Sequence, residues 1–250
     1  MSAAGGVPSS RARVQGHSLP GVQRTGDAVH RVAKSRASTP CFLPPPPPTA
    51  PGSIPERDEA SGRIYNTCVA YGPDGALLAR HRKMHLFDID IPGRITFRES
   101  DTLSGGGDLA TFDTPWGRVG LGICYDVRFP LLAMLLRQAG CRFLFYPGAF
   151  NLTTGPVHWE LLLRARALDT QCFVAGVSIA RNPAAAYQAW GHSTMVTPYG
   201  EVAATTDEAP GTVYADVRPA RVDEVRAQIP VGHQARGDLY SLQWRGATSS

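Results

Sequence analysis

Two adjoining stretches decide the fold of this chain: Val119-Gly-Leu-Gly-Ile-Cys124, and Phe129-Pro-Leu-Leu-Ala-Met-Leu-Leu-Arg-Gln-Ala-Gly140. The first is apolar and spaced by glycines, which is typical of a buried strand in close packing. The second has a proline in its first turn and a glycine beyond its last, the usual order for a helix. We therefore predict a strand-to-helix corner with Cys124 at the bend. Near a helix N-terminus, the unpaired N–H groups and the helix dipole favour the nucleophilic thiolate.

Strand and helix patterns alternate on both sides of this corner. Hairpins are predicted over residues 65–81, 109–123 and 193–203, strands over 143–146 and 173–179, and further helices over 159–169 and 219–228. Strands that interleave with helices are typical of an α/β fold, in which helices cover the faces of the sheets.

The first 51 residues differ in composition from the rest. They hold six basic side chains and one acid, Asp27, and they contain five consecutive prolines, Pro44 to Pro48. Because this stretch has no hydrophobic periodicity, we predict a disordered leader over residues 1–51 and a folded domain over 52–245. The leader carries a net charge of +5 and the remainder about −1, since the whole chain carries +4. The folded body therefore gives little support to nucleic-acid binding.

Cysteine usage and hydropathy bear on the compartment. The five cysteines are widely spaced and form no CxxC pair, which favours reduced thiols inside the cell. No apolar run reaches the roughly 18–20 residues of a membrane helix, and no secretory signal follows Met1. We expect a cytoplasmic protein without a membrane partner. The leader is similar in composition to a mitochondrial presequence, which leaves the mitochondrion open as an alternative.

The body contains three long motifs: Arg82-Lys-Met-His-Leu-Phe-Asp-Ile-Asp-Ile-Pro-Gly93, Gly120-Leu-Gly-Ile-Cys-Tyr-Asp-Val-Arg-Phe129 and Tyr146-Pro-Gly-Ala-Phe-Asn-Leu-Thr-Thr-Gly-Pro-Val-His-Trp159. These motifs resemble the nitrilase, or carbon–nitrogen hydrolase, superfamily. The resemblance runs from about residue 52 to residue 242 and is strongest to the omega-amidase branch. It implies a nitrilase-like four-layer α-β-β-α sandwich, which we expect to lack the first strands and helices of the family.

The resemblance implies catalytic roles for three residues. Cys124 matches the family's nucleophile, which attacks an amide carbonyl to form a thioester. Lys83 matches the lysine that stabilises the developing oxyanion, aided by a backbone N–H such as that of Tyr125. Glu99 matches a glutamate that helps to orient the site near the lysine. Outside these motifs, a lone cysteine is usually an inert buried thiol, and Lys83 and Glu99 would be surface charges.

The resemblance also implies a substrate class. Omega-amidases hydrolyse the terminal amide of small dicarboxylates such as 2-oxoglutaramate and 2-oxosuccinamate, releasing ammonia. Arginine suits a substrate carboxylate, and Arg128 and Arg181 are the candidates, with Tyr125 beside the nucleophile. The chemistry needs no cofactor and no metal. His81 and His85 have the spacing of metal ligands on a helix, but their segment is predicted as strand and loop, so we predict no metal site.

One catalytic group of the family has no counterpart in the sequence. The family's general-base glutamate lies on an early strand, whereas the only glutamates before Lys83 are Glu56 and Glu59, in a turn that matches a non-catalytic position. Loss of a general base typically lowers a rate by about two to four orders of magnitude. Two hypotheses remain: an omega-amidase that works as a homodimer, or an impaired remnant that pairs with an intact paralogue.

Overall fold

The computed structural model of the chain describes residues 10–16, 48–50, 52–93 and 95–246. The strands are β1 (Ser10–Gly16), β2 (Ser53–Arg57), β3 (Ile64–Tyr71), β4 (Leu77–Arg82), β5 (Asp88–Ile91), β6 (Ile95–Arg98), β7 (Thr111–Thr114), β8 (Gly117–Leu121), β9 (Cys141–Gly148), β10 (Phe173–Ser178), β11 (Thr194–Val196), β12 (Val202–Thr205) and β13 (Gly211–Val217). The α-helices are α1 (Pro130–Gln138), α2 (Gly155–Thr170), α3 (Ala220–Gln228) and α4 (Val231–Gln234).

The centre of the fold is a six-stranded mixed sheet in the order β12-β11-β10-β9-β8-β7. Strands β8, β9 and β10 are parallel, while β7, β11 and β12 pair antiparallel at the two sides. Parallel neighbours need a crossover connection, and here α1 joins β8 to β9 and α2 joins β9 to β10. Cys124 therefore follows the first of three parallel strands, at the edge where their carboxyl ends meet.

The two faces of this sheet are covered by different elements. On one face, Leu136 of α1 and Trp159 and Leu163 of α2 pack against Leu144 and Val174 of the sheet. The opposite face meets β3, β13 and α3; the residues of this second core include Cys68, Ala70, Phe143, Phe173, Val217 and Val222. Strands β2, β3 and β4 form a separate antiparallel sheet. The predicted α/β class is confirmed.

Several element bounds differ from the predictions. Helix α2 begins at Gly155 and not at residue 159, since Pro156 fits the first helical turn. Strands β2, β5, β6 and β13 were not predicted; their partly exposed residues carry weak hydrophobic patterns. Within the described part of the chain, no helix combines the length and the apolar character that crossing a membrane requires.

Strand β1 lies in the stretch for which the sequence predicts disorder. It pairs antiparallel with β13, from Ser10 opposite Val217 to Gly16 opposite Gly211. Residues 10–16 therefore form a strand within the predicted leader, whose extent stays a prediction. An open strand edge presents unpaired N–H and C=O groups, so β13 can hold an extended segment that has no hydrophobic periodicity. Apart from residues 48–50, the rest of the predicted leader lies outside the described residues, and the boundary at residue 52 stays a prediction.

Candidate active site

Cys124 occupies a sharp bend between β8 and a short 3-10 helix, Cys124–Arg128. Its φ is +48°, a left-handed conformation that is uncommon for a residue with a side chain. Such strain persists where the surroundings enforce it, and it is concentrated at functional sites. A Cβ at Gly148 would lie 2.9 Å from the Cα of Cys124. Glycine at this position of β9 therefore allows the close approach that holds the bend.

A second glycine, Gly122, allows close packing just before the bend. A Cβ at Gly122 would lie 2.5 Å from a ring carbon of Tyr146, which is fully buried in the helix-side core. The larger side chain would displace either the aromatic ring or the end of β8. This contact agrees with the prediction that the glycines before Cys124 serve close packing.

Burial and the charge of Lys83 dominate the electrostatics around Cys124. Helix α1 begins only at Pro130, and the intervening 3-10 helix is too short to supply a comparable dipole. Burial raises the pKa of the Cys124 thiol, whereas the charge of Lys83 and a backbone hydrogen bond with Ala149 lower it. Lys83 is therefore the nearby cation that favours the thiolate.

Lys83 lies just after β4, and the residue is 2% exposed. Its ammonium donates a hydrogen bond to Oε2 of Glu99, which is itself 8% exposed. The same oxygen accepts the backbone N–H of Phe87 at 2.6 Å. A buried charge is costly unless it is paired and hydrogen-bonded. The pair therefore allows a charged lysine to remain at the wall of the site, and neither residue is the surface charge that it would be outside the motifs.

A cavity of about 660 Å³ opens over Cys124. The predicted site residues that line it are Lys83, Glu99, Cys124, Tyr125 and Arg128. Among the residues that the structure describes, Glu99 is the only carboxylate in the lining. The geometry thus brings five of the six predicted residues to one cavity.

The two candidate arginines differ in whether they line the cavity: Arg128 does, and Arg181 does not. Arg128 lines the cavity, where its guanidinium lies over the rings of Phe150 (4.8 Å) and Tyr125 (5.6 Å) and contacts Nδ1 of His158 at 3.3 Å. Burial lowers the pKa of Arg128, and no described carboxylate forms an ion pair with it. This half-buried cation is therefore available to an anionic ligand.

Arg181 does not line the cavity. Its guanidinium donates to the carbonyls of Ala189 (2.9 Å) and Trp190 (3.1 Å), and it also lies 3.9 Å from Glu208. The structure thus does not bring Arg181 to the cavity with the other predicted residues, because its donors hold the loop 181–190 together; its role in substrate binding stays a prediction. Sequence alone could not distinguish the two arginines, because that loop has no periodicity from which its direction could be predicted.

Two tyrosines border the nucleophile. The ring of Tyr125 packs edge-on against Phe87 and Phe129, with centroids 5.1 and 5.5 Å apart, so its place beside Cys124 is fixed by aromatic contacts. The hydroxyl of Tyr187 donates to the carbonyl of Ala149 at 2.6 Å. That carbonyl also contacts the sulfur of Cys124. Sequence reasoning missed Tyr187, which lies in the same irregular loop as Arg181.

Asp126 is a further residue that sequence reasoning missed. It is fully buried two positions after Cys124, and its carboxylate accepts hydrogen bonds from His81, His85 and the backbone of Ile123. Burial opposes its ionisation, but the bonds from the two histidines outweigh this and hold the pKa of Asp126 well below its usual range. The spacing of His81 and His85 thus serves a shared carboxylate in this structure.

Comparison with known proteins places this geometry in a family. The carbon-nitrogen hydrolase family matches residues 49–227, which include the bend at Cys124, Lys83 and Glu99. The chain belongs to the carbon-nitrogen hydrolase family. Its relatives include "Omega-amidase NIT2" of Homo sapiens, to which it is 58% identical over 194 residues, covering 78% of this chain and 70% of that protein.

Two solved structures agree with this carbon-nitrogen hydrolase assignment. Nit3 of Saccharomyces cerevisiae, a member of branch 10 of the nitrilase superfamily, is 43% identical with a TM-score of 0.69, over 75% of this chain and 65% of that one. The NitFhit protein of C. elegans is 38% identical with a TM-score of 0.75, over 81% of this chain and 50% of that one. The predicted nitrilase-like fold is confirmed. The chain spans about two thirds and one half of these two structures.

Proposed function

We propose that the chain is a cysteine-dependent amidase that hydrolyses the terminal amide of small dicarboxylate monoamides. The observation that carries this proposal is that one cavity holds the strained Cys124, Lys83 and the guanidinium of Arg128, which pairs with no carboxylate among the described residues. Similarity to omega-amidases supports the same activity and favours it over the alternative of a non-catalytic remnant. By that similarity, 2-oxoglutaramate and 2-oxosuccinamate are the substrates to test first.

The reaction proceeds in two steps. The sulfur of Cys124 attacks the amide carbonyl carbon, a C–S bond forms, the C–N bond breaks, and ammonia leaves with the proton that the thiol has lost. Water then adds to the thioester carbonyl, the C–S bond breaks, and the thiol regains its proton as the carboxylic acid is released. Atoms and charge balance as one amide plus one water giving one acid plus ammonia. No cofactor or metal ion is required.

Each cavity residue has a role in this scheme. The ammonium of Lys83 stabilises the negative charge that develops on the carbonyl oxygen, and the backbone N–H of Tyr125 is the proposed second donor. Glu99 holds the Lys83 ammonium in place. Arg128 binds the carboxylate at the far end of the substrate, since arginine presents paired donors that match a carboxylate.

The proposed assembly is a homodimer. Val157, Leu161 and Leu168 lie on one face of α2, at helical spacing, and each is more than half exposed. Exposed apolar side chains that share one helix face suit an interaction surface. A second copy of the chain is the simplest occupant, because two identical stripes are complementary in chemistry. Pairing with an intact paralogue would use the same stripe.

The proposed compartment is the cytoplasm. Cys68, Cys124, Cys141 and Cys172 are all free in the structure. Free thiols and a cysteine nucleophile suit a reducing compartment.

Ammonia release tests the proposal. Purified chain is incubated with 2-oxoglutaramate, and ammonia is measured for the wild type and for Cys124→Ala. Cys172→Ala is a matched control, because Cys172 is buried away from the cavity. Release that depends on Cys124 but not on Cys172 would support an amidase, whereas equal release from wild type and Cys124→Ala would overturn it.

A further inference from the structure

The carboxylate of Asp126 is a junction between two segments that carry the proposed chemistry. Oδ1 accepts the backbone N–H of His85 at 2.9 Å and its ring Nδ1–H at 2.8 Å. Oδ2 accepts Nε2–H of His81 at 3.0 Å and the backbone N–H of Ile123 at 2.9 Å. Four donors therefore converge on two oxygens, in a side chain that is 0% exposed.

The donors come from both sides of the site. His81 and His85 flank Lys83 by two residues in each direction, and Ile123 directly precedes Cys124. One carboxylate thus fastens the segment that carries the ammonium to the bend that carries the sulfur. Stacking of the His85 ring on Phe129, with centroids 3.6 Å apart and planes 7° apart, fixes that ring from the other side.

We propose that Asp126 is a positioning residue, whose carboxylate sets the separation between the Lys83 ammonium and the Cys124 sulfur. This inference rests on the proposed amidase function. It requires a carboxylate in particular, because each of the two oxygens accepts two donors. In an asparagine, one of these oxygens is replaced by an amide nitrogen, which cannot accept a hydrogen bond. Either the bonds from His81 and Ile123 or the two bonds from His85 would then be lost.

A double-mutant cycle measures the coupling directly. The pKa of Cys124 is obtained from the pH profile of iodoacetamide alkylation, quantified on the Cys124 peptide by mass spectrometry. The four proteins are wild type, Lys83→Met, Asp126→Asn and the double variant. Lys83→Met is expected to raise the Cys124 pKa in the wild-type background, and Asp126→Asn to reduce that increment by at least half. The direct effect of the Asp126 charge on Cys124 cancels in this comparison.

Steady-state kinetics provide a second measurement. Misplacement of a catalytic group by about 1 Å costs on the order of 100-fold in rate, so Asp126→Asn is expected to lower kcat by about that factor and to change KM by less than about threefold. The proposal would be overturned if Lys83→Met raised the Cys124 pKa equally in the wild-type and Asp126→Asn backgrounds. A loss of activity that appears only in KM would also overturn it.

If Asp126→Asn does not fold, two variants at His85 test the same proposal. His85→Ala removes the ring donor, whereas His85→Asn keeps an amide donor near the position of Nδ1. We expect Lys83→Met to raise the Cys124 pKa less in the His85→Ala background than in wild type, and by nearly the wild-type amount in the His85→Asn background. Equal rises in the two His85 backgrounds would contradict the proposal. Because alkylation needs no turnover, an inactive wild type would refute the proposed function while leaving this result interpretable.

Discussion

The ammonium of Lys83 and the carboxylate of Glu99 form a buried ion pair at the wall of the cavity that contains Cys124. The pair is almost completely shielded from solvent, and Glu99 is further held by the backbone N–H of Phe87. Its two members are separated by a hairpin, β5–β6, so that tertiary structure alone brings them together. The position of the Lys83 ammonium, which favours the thiolate of Cys124 and would stabilise an oxyanion, is therefore fixed by Glu99.

Replacement of Lys83 by methionine should abolish turnover and also destabilise the fold. Loss of one donor to a developing oxyanion typically costs about 10²–10³ in kcat. Removing one partner leaves the Glu99 carboxylate buried without its ion-pair partner, which costs about 3–5 kcal/mol in such pairs. We expect a lower free energy of unfolding in urea together with the loss of ammonia release.

The double variant Lys83→Met/Glu99→Gln separates the two effects. Because it removes both charges, it should recover most of the lost free energy of unfolding while remaining inactive. If the double variant were as unstable as Lys83→Met, the pair would not have the role assigned to it.

Arg128→Gln should weaken substrate binding selectively. The guanidinium contacts two aromatic rings and lines the cavity, and no carboxylate in the described part of the chain pairs with it. Its loss should therefore raise KM for 2-oxoglutaramate by about 10–100-fold, as expected for about 1.5–3 kcal/mol of charged hydrogen bonding. Arg181→Gln is the matched control, since Arg181 lies outside the cavity lining; its KM should stay within about twofold. A larger rise in KM for Arg181→Gln than for Arg128→Gln would reverse our assignment of the two arginines.

Asp126 should make stability depend on pH in acid solution. Its folded-state pKa lies below the unfolded value of about 3.9, so the folded protein binds this proton less tightly than the unfolded chain does. Its stabilising effect is therefore complete at neutral pH and is lost as the pH falls through about 4 towards the folded-state pKa. Chemical denaturation of wild type and Asp126→Asn at several pH values should show a difference that is largest near pH 5–7 and shrinks towards pH 3. A difference that grows in acid would contradict the ionised state of Asp126.

The exposed stripe on α2 should control assembly. Leu161→Lys places a charge at a position that is 63% exposed, at the centre of the stripe. Light scattering coupled to size exclusion should report a dimer for the wild type and a monomer for this variant. Leu77→Lys, at a similarly exposed leucine of β4, is the control and should remain dimeric. The stripe would not form the dimer interface if the wild type were monomeric, or if Leu77→Lys alone dissociated the dimer.

Sequence patterns captured the centre of the fold better than its periphery. The apolar run before Cys124 and the helix from Pro130 were predicted because a buried parallel strand and an amphipathic helix carry strong local signals. The pairing of β1 with β13 was not predicted, since backbone hydrogen bonds at a strand edge impose little on side chains. For the same reason, the short hairpin β5–β6 had no distinct pattern.

At the site, too, some features were predicted from the sequence and others only the structure shows. Cys124, Lys83 and Glu99 were identified through motifs, and the structure places them in one cavity. Their electrostatics could not be predicted: burial raises the pKa of Cys124, and burial of this kind depends on residues from distant strands. Asp126 was missed because its partners lie more than 40 positions earlier in the chain. Only the folded structure shows that Arg181 binds carbonyls of its own loop.

The most direct test is to trap the thioester on Cys124. Purified protein is mixed with 2-oxoglutaramate, quenched in acid within the first turnover, and analysed by peptide mass spectrometry, with released ammonia measured in parallel. Our account predicts an acyl adduct on the Cys124 peptide, absent from Cys124→Ala, that appears with the ammonia and decays in hydroxylamine to the free thiol. Ammonia release without an adduct at Cys124, or no Cys124-dependent release at all, would contradict it.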